Sequence, residues 1–325
     1  MTLARRRFLR LAGAGTAASI LPRVALAQAY PNRPVRLIVP YAPGGPTDAV
    51  ARLVTDQLSR IWGQQIIVEN RGGAGTNIGA EAVARSDPDG YTMLIGSGAL
   101  AINRNLYCSL SYDASTDLAP VSTLCSFAFF MVVPAASPAR SIKEFIAFAK
   151  ESKGKLSYAS PGTGSPPHLG GELFKAMTGI EMTHVPYRGA GPALNDLFAG
   201  RIDVMFMSGT SIEQIKAGKL RGLGFSGTAR NPALPDVPTV TEAGVPGFEL
   251  SSWYAFFVPA RTPRPIVDRM NADTLSSLAD ARVRARLDQL GYNIGGSTPE
   301  ALGALLKSEI DKWAPIIRAA NINPE

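Results

Sequence analysis

The sequence is poor in the groups that most hydrolases and metalloenzymes depend on. It holds two histidines, His168 and His184, and two cysteines, Cys108 and Cys125, in 325 residues. Neither histidine belongs to an H-E-x-x-H pair, and the cysteines lack the close spacing of a zinc site, so no metal is expected. No G-x-S-x-G elbow is present. Residues 224–228 come nearest and lack the final glycine, so a serine-hydrolase nucleophile has no frame. No G-x-x-x-x-G-K-[ST] loop exists to cradle a nucleotide phosphate. No stretch beyond the N-terminal segment reaches the ~18 apolar residues of a membrane span, which excludes membrane insertion. No basic patch is interleaved with aromatic residues, which argues against nucleic acid.

The formal charge of +7 does not contradict this. Arg5, Arg6, Arg7, Arg10 and Arg23 stand in the first 27 residues with no acid beside them, so the rest carries 7 − 5 = +2. These residues read as an export signal: a charged start, a mildly apolar stretch over 11–21, and the small-x-small site 25–27, with cleavage after Ala27. The Arg pair followed by Phe8 and Leu9 resembles a twin-arginine signal, with a Sec signal as the alternative. No cysteine follows the cleavage site to carry a lipid. In an oxidising compartment Cys108 and Cys125 either pair or remain two apolar thiols.

What the sequence does have is glycine- and proline-rich turns at the ends of short apolar runs. The first organises the rest. Residues 35–39 read as a buried strand, 40–48 as a turn, and Val50, Leu53, Val54, Leu58, Ile61 and Trp62 as one face of a helix. Pro46 suits the first helical turn. Such a turn either binds an anion at the free N–H groups of the helix or is only a tight connection. Further strands are expected at 65–69, 92–95, 156–159, 181–185, 203–206 and 220–225, alternating with helices, which argues for parallel sheets. Ser141 with Glu144, Ser211 with Glu213 and Gln214, and Thr239 with Glu242 read as helix caps, as does Thr76 or Asn77. Two long apolar runs, 127–133 and 252–259, bracket a self-contained strand–helix series, so they read as paired crossings between two domains. Three helices follow, expected to pack on the first domain's sheet.

The turns at 41–48, 72–77, 96–99, 160–168, 187–192 and 207–210 are rich in backbone donors and hydroxyls and poor in charge. That suits holding a small anion without reacting with it. His168 either contacts the anion or closes its turn, and His184 is structural. Asp48 either organises its loop or accepts from the ligand. It and Asp203 are the acids nearest these turns.

Residues 33–48 resemble the opening of the tripartite tricarboxylate transporter substrate-binding (Bug) family. Val68-Glu69-Asn70-Arg71, Asp87-Pro88-Asp89-Gly90-Tyr91-Thr92, Val185-Pro186-Tyr187-Arg188-Gly189 and residues 200–206 and 236–244 continue the resemblance, in order, over 30–325. Tyr41 stands where Phe is common and Ala255 where Gly is common. The resemblance implies an α/β periplasmic binding protein of two lobes (a Venus flytrap), each a sheet flanked by helices, joined by two hinge strands. Residues 28–126 with 256–325 form the first lobe and 127–255 the second. It implies a periplasmic receptor, monomeric and without cofactor, that takes a small organic carboxylate and delivers it to a membrane permease. A signalling receptor and a periplasmic enzyme are the alternatives. The ligand-binding residues expected are Tyr41, Gly44, Gly45, Thr47, Asp48, Asn77, Ser97, Ala99, Ser160, Thr163, Gly164, Ser165, His168, Tyr187, Gly189, Ala190, Asp203 and Met207. Free N–H groups of turns 41–48 and 160–168, with the Thr47, Ser165 and Tyr187 hydroxyls, are expected to hold the carboxylate, and Arg188 is close enough in sequence to add a charge.

Overall fold

Short apolar strands alternate with amphipathic helices and sort into two sheets. The computed structural model describes residues 30–107 and 109–319, so the export signal, its cleavage site and Cys108 lie outside the described residues. The chain runs β1 (Val35–Val39), α1 (Pro46–Trp62), β2 (Ile66–Asn70), α2 (Asn77–Ala84), β3 (Thr92–Ser97), α3 (Ala99–Leu106) and β4 (Leu118–Ala128). It continues through β5 (Phe130–Pro134), α4 (Ile142–Ser152), β6 (Ser157–Ser160), α5 (Pro166–Thr178), β7 (Thr183–Pro186), α6 (Ala190–Phe198), β8 (Val204–Met207), α7 (Ile212–Lys216) and β9 (Leu220–Phe225). It returns through β10 (Ser251–Pro259), α8 (Arg264–Ala279), α9 (Ala281–Gln289), β11 (Asn293–Ile294) and α10 (Pro299–Ala319).

The first sheet has the order β11-β4-β10-β3-β1-β2 and the second β7-β6-β8-β5-β9. In each, three parallel strands are followed by antiparallel ones: β2-β1-β3 then β10 and β4, and β7-β6-β8 then β5 and β9. Parallel strands buried on both faces need continuous apolar sequence. Leu37, Ile38, Met93 and Leu94 are accordingly fully buried in the first sheet. Each such side chain contributes roughly 1.5–3 kcal/mol. In the second, Phe130, Val132, Ala159 and Met205 pack with Ala193 and Leu197 of α6.

The C-terminal helices pack on the first sheet, as expected. Trp62 Nε1 at the end of α1 donates to Asp273 of α8 (2.8 Å), and Asn105 Nδ2 of α3 donates to the Ile310 carbonyl of α10 (2.8 Å).

Several local expectations are corrected. The apolar run 127–133 is two strands: β4 carries Phe127 and Ala128 in the first sheet, and β5 starts the second. Its partnership with β10 is confined to Ser252↔Phe127 and Ser251↔Ala128, and the rest of β10 pairs with β3 and earlier β4. Residues 127–128 and 251–255 therefore lie in the first sheet. Ser211 caps nothing, because it already sits at the end of a 3₁₀ turn and its hydroxyl bonds back to Ser208 O (3.0 Å). Thr76 adopts φ 88° and makes no side-chain cap. Thr239 and Glu242 exchange both capping bonds (3.0 and 2.8 Å) but close only a turn. By contrast Ser141 does cap α4 through Glu144 N.

Candidate functional site

In parallel sheets the carboxyl ends of the strands are where ligands gather. The chain leaves β1 at Tyr41, β3 at Ser97, β6 at Pro161 and β8 at Met207 and Ser208, and these residues from both sheets line one cavity. Gly45, Pro46, Thr47 and Ala190 line it too. Phe127, Phe129 and Tyr254 form an aromatic wall, with ring centroids 5.3 Å apart for Phe127–Phe129 and 4.7 Å for Phe127–Tyr254. The cavity is about 40 Å³. One water occupies roughly 10–15 Å³ in the same measure, so the space suits a few small groups.

The first wall is the start of α1. Pro46 occupies its first turn, Gly45 is its N-cap residue, and no side chain caps it. The N–H groups of a first helical turn have no partner inside the helix, and they carry its positive dipole end. Asp48 does not supply the cap. Its Oδ2 accepts from Gly44 N (3.1 Å) and Arg52 Nε (3.0 Å), and its Oδ1 accepts from Asn70 Nδ2 (3.0 Å). Burial alone would raise its pKa, but the bonds from Arg52, Asn70 and Gly44 hold it below the usual carboxylate range. Of the two roles considered for Asp48, organising the loop is the one observed.

The second wall is the start of α6, which also lacks a side-chain cap. It comes from the other sheet and meets α1 closely. A Cβ added at Gly45 would lie 3.8 Å from both Ala190 N and Ala190 Cβ. Ala42 N donates to Arg188 O across the same junction (2.8 Å), and a Cβ on Gly189 would come within 2.9 Å of Ala42 N. Two uncapped helix N-termini therefore converge on one point.

Turn 160–168 is a different matter. Pro166 and Pro167 open α5 and carry no N–H. Ser165 Oγ accepts from His168 N (3.4 Å), and Gly164 N donates to His168 Nδ1 (3.2 Å). The turn closes on itself and offers the cavity proline carbons. His168 and His184 stack at 4.2 Å, and His184 Nε2 shares a 2.7 Å hydrogen bond with Ser160 Oγ. Burial lowers both pKa values, to about 4 for His168 and about 3 for His184, so both rings are neutral near pH 7. His168 closes its turn and does not line the cavity.

Of the residues expected at the site, the structure brings Tyr41, Gly45, Thr47, Ser97, Ala190 and Met207 to the cavity. Gly44, Asp48 and Gly189 belong to its two loops without lining it. Ala99, Ser160, Gly164 and Ser165 are buried and do not line it. Asn77 is turned to Tyr112 and Asn103, whose groups its Oδ1 accepts at 3.0 and 3.1 Å. Thr163, Tyr187 and Arg188 line a separate opening between the sheets, near Gly75 and Pro186. The Tyr187 hydroxyl is spent on Asp196 (2.7 Å), and burial together with that bond pushes its pKa up to about 12. Asp203 stands at the far end: it precedes β8 and accepts from Ser157 N (2.7 Å), four residues or about 13 Å of strand from Met207. Cys125 is a buried thiol without a disulfide partner among the described residues, and Cys108 lies outside them.

Sequence reasoning missed Phe127, Phe129, Ser208, Ser252 and Tyr254. The signal was there in part, since the two apolar crossing runs contain all but Ser208. Their faces could not be assigned without knowing which sheet each strand joins.

The chain matches the sequence model described as the tripartite tricarboxylate transporter family receptor over residues 50–322. It is similar to the solved periplasmic binding protein BugD, with 34% identity and a TM-score of 0.88 over 91% of this chain and all of that one. R. palustris Rpa4515, solved with adipate, is 36% identical with a TM-score of 0.88 over 91% of this chain and all of that one. MatC from Rhodopseudomonas palustris, solved with bound malate, is 33% identical with a TM-score of 0.85, covering 89% of this chain and all of that one.

Proposed function

This chain belongs to the tripartite tricarboxylate transporter receptor family, and on that premise we propose that it is a periplasmic receptor that captures a small organic carboxylate between two lobes and hands it to a membrane transporter. The lobes are built on the two sheets and hinge at the crossings near Phe129 and Ser226. One observation carries the ligand's chemistry: the uncapped N-termini of α1 and α6, one from each lobe, converge on the same cavity. No Lys, Arg or His lines that cavity among the described residues. Backbone donors and two helix dipoles therefore supply the positive potential, each dipole favouring an anion by about 0.3–1 kcal/mol when exposed and up to ~2 kcal/mol when partly buried. Because one donor set comes from each lobe, an anion between them draws the lobes together. The adipate and malate bound by similar proteins are of this ligand class. The family's name supports the transporter as partner, and the Arg-rich leader together with the likeness to BugD supports the periplasm.

Calorimetry with organic acids and their amides tests this. An acid should bind and its neutral amide should bind at least about tenfold more weakly, since the amide brings no charge to the helix termini. Gly45→Val should abolish acid binding with little change in urea stability, because the first added carbon meets Ala190 at ordinary contact distance and only the branched methyls enter the junction. Equal affinity for acid and amide removes the carboxylate assignment.

A further inference from the structure

We propose that Tyr292, which does not line the cavity, is a positioning residue for the ligand: it holds the Ser208 hydroxyl so that the Ser208 proton meets an oxygen of the ligand beyond the carboxylate at the helix termini. This rests on the carboxylate reading above and deepens it. Ser208 follows β8 of the second sheet, and Tyr292 precedes β11 of the first. Their hydroxyl oxygens lie 2.7 Å apart, and the two residues are 3% and 2% exposed. The direction of the bond follows from the partners available. The Tyr292 hydroxyl has no other hydrogen-bond partner among the described residues, so its proton goes to Ser208 Oγ, because a buried donor left unpaired is costly.

A serine hydroxyl accepts and donates at once. With its oxygen engaged by Tyr292, Ser208 keeps a proton that has no acceptor among the described residues, and Ser208 lines the cavity. Ser252 is arranged alike. It lines the cavity, its Oγ accepts from Gly98 N (3.4 Å), and its own proton has no acceptor among the described residues. Two buried serines thus present donors in a cavity otherwise walled in large part by the carbon of Phe127, Phe129, Met205 and Pro167. The Tyr292 ring is held in turn by Phe127 and Tyr254, with ring centroids 4.8 and 6.5 Å away. Since Ser208 and Tyr292 come from different sheets, the Ser208 donor is set only when the two lobes are together.

Titration calorimetry of the mature protein near pH 7 decides it, using two pairs of acids of equal chain length: succinate with butanoate, and adipate with hexanoate. A monoacid too weak to titrate directly is read by competition against its diacid. In the tighter pair the diacid should bind better, because it brings the second acceptor. The ratio of diacid to monoacid affinity should fall at least about fivefold in Ser208→Ala and in Tyr292→Phe, which keeps the ring. A loss of packing or of lobe closure alone weakens both acids equally and leaves that ratio unmoved. The double variant should lose no more of the ratio than the larger single one, since the two residues act as one unit. An unchanged ratio, additive losses, or a wild-type preference for the monoacid in both pairs overturns the positioning role and leaves the carboxylate reading standing. Failure of all four acids to bind overturns the carboxylate reading first, and this role with it.

Discussion

His168 and His184 show how a pair of histidines can fix a turn without lining the cavity beside it. Both are held neutral, and both act as acceptors or stacking partners that fix turn 160–168: Gly164 N donates to His168, and Ser160 shares its hydroxyl with His184. Their folded pKa values of about 4 and 3 lie below the 6.5 of a free imidazole, with burial as the first cause and Lys175 also opposing charge on both rings. Between those values and 6.5 the unfolded chain binds more protons than the folded one, so stability rises with pH and is lost as pH falls. Asp48 acts in the same direction, its depressed pKa giving stability that is lost as pH falls through the folded value. Urea midpoints at about pH 7, 5 and 4 separate the two. His184→Gln should be less stable than wild type near pH 7 yet lose less on acidification, and equal slopes for the two proteins would refute the histidine contribution. At this scale the sequence was legible where chemistry is local. Pro46 and its neighbours Gly45 and Thr47 are readable as a helix start, and Ser141 as a cap. Asp203 and Tyr187 were not, because β8 and β7 place them at the far end of a strand and at a second opening, and only the sheet decides which end of a strand faces the ligand.

Ser226 joins the two crossings as an element-level device. Its Oγ accepts from Phe129 N (2.8 Å) and donates to Leu250 O (2.6 Å), while its own N–H donates to Phe129 O (2.8 Å) and its carbonyl accepts from Leu250 N (3.1 Å). It is fully buried. The two connections between the sheets are thus stitched by one serine, with Phe129 in the outgoing connection and Ser226 and Leu250 in the returning one. Removing the hydroxyl leaves Phe129 N–H without its acceptor in a buried place, a cost of about 1–3 kcal/mol. Ser226→Ala should lower the unfolding free energy read from urea titration by that amount, and the midpoint with it, whereas Ser226→Thr, which keeps the hydroxyl, should lose less. An unchanged midpoint in Ser226→Ala would show that the stitch carries no stability. The helices and parallel strands were legible from apolar periodicity and turn residues. β4, α3 and β11 were not. β4 is eleven residues of mixed burial with no clean alternation, and β11 is two residues defined wholly by pairing with Cys125 and Ser126. Ser211 misled because its sequence fits a capping box while the preceding 3₁₀ turn had already begun the helix.

The whole molecule is two sheets whose loops approach to backbone contact, and glycine permits it. Gly209 follows β8 of the second sheet and faces Leu290, just before β11 of the first. A Cβ there would lie 1.4 Å from the Leu290 carbonyl oxygen. Its own conformation is that of a 3₁₀ turn, which any residue adopts, so only the neighbour forbids a side chain. Nearby, Ser208 Oγ and Tyr292 OH hydrogen bond across the same junction at 2.7 Å. Gly75 plays the same part at the other opening, where a Cβ would lie 2.0 Å from Thr163 O. In a receptor that closes by swinging lobes about the crossings, such positions act as the stop that sets how far closure goes. Gly209→Ala should fold, since each sheet is untouched, and should hold the lobes apart. Ligand affinity should fall at least about tenfold, because the α1 and α6 termini no longer reach the anion together. The unfolding free energy from urea titration should change by less than about 1 kcal/mol, because the junction separates rather than strains. Small-angle scattering at saturating ligand reads the motion directly. Wild type should contract on binding, and Gly209→Ala should keep the larger radius of gyration. A variant that contracts and binds like wild type would show that Leu290 gives way, and that closure is not limited at Gly209.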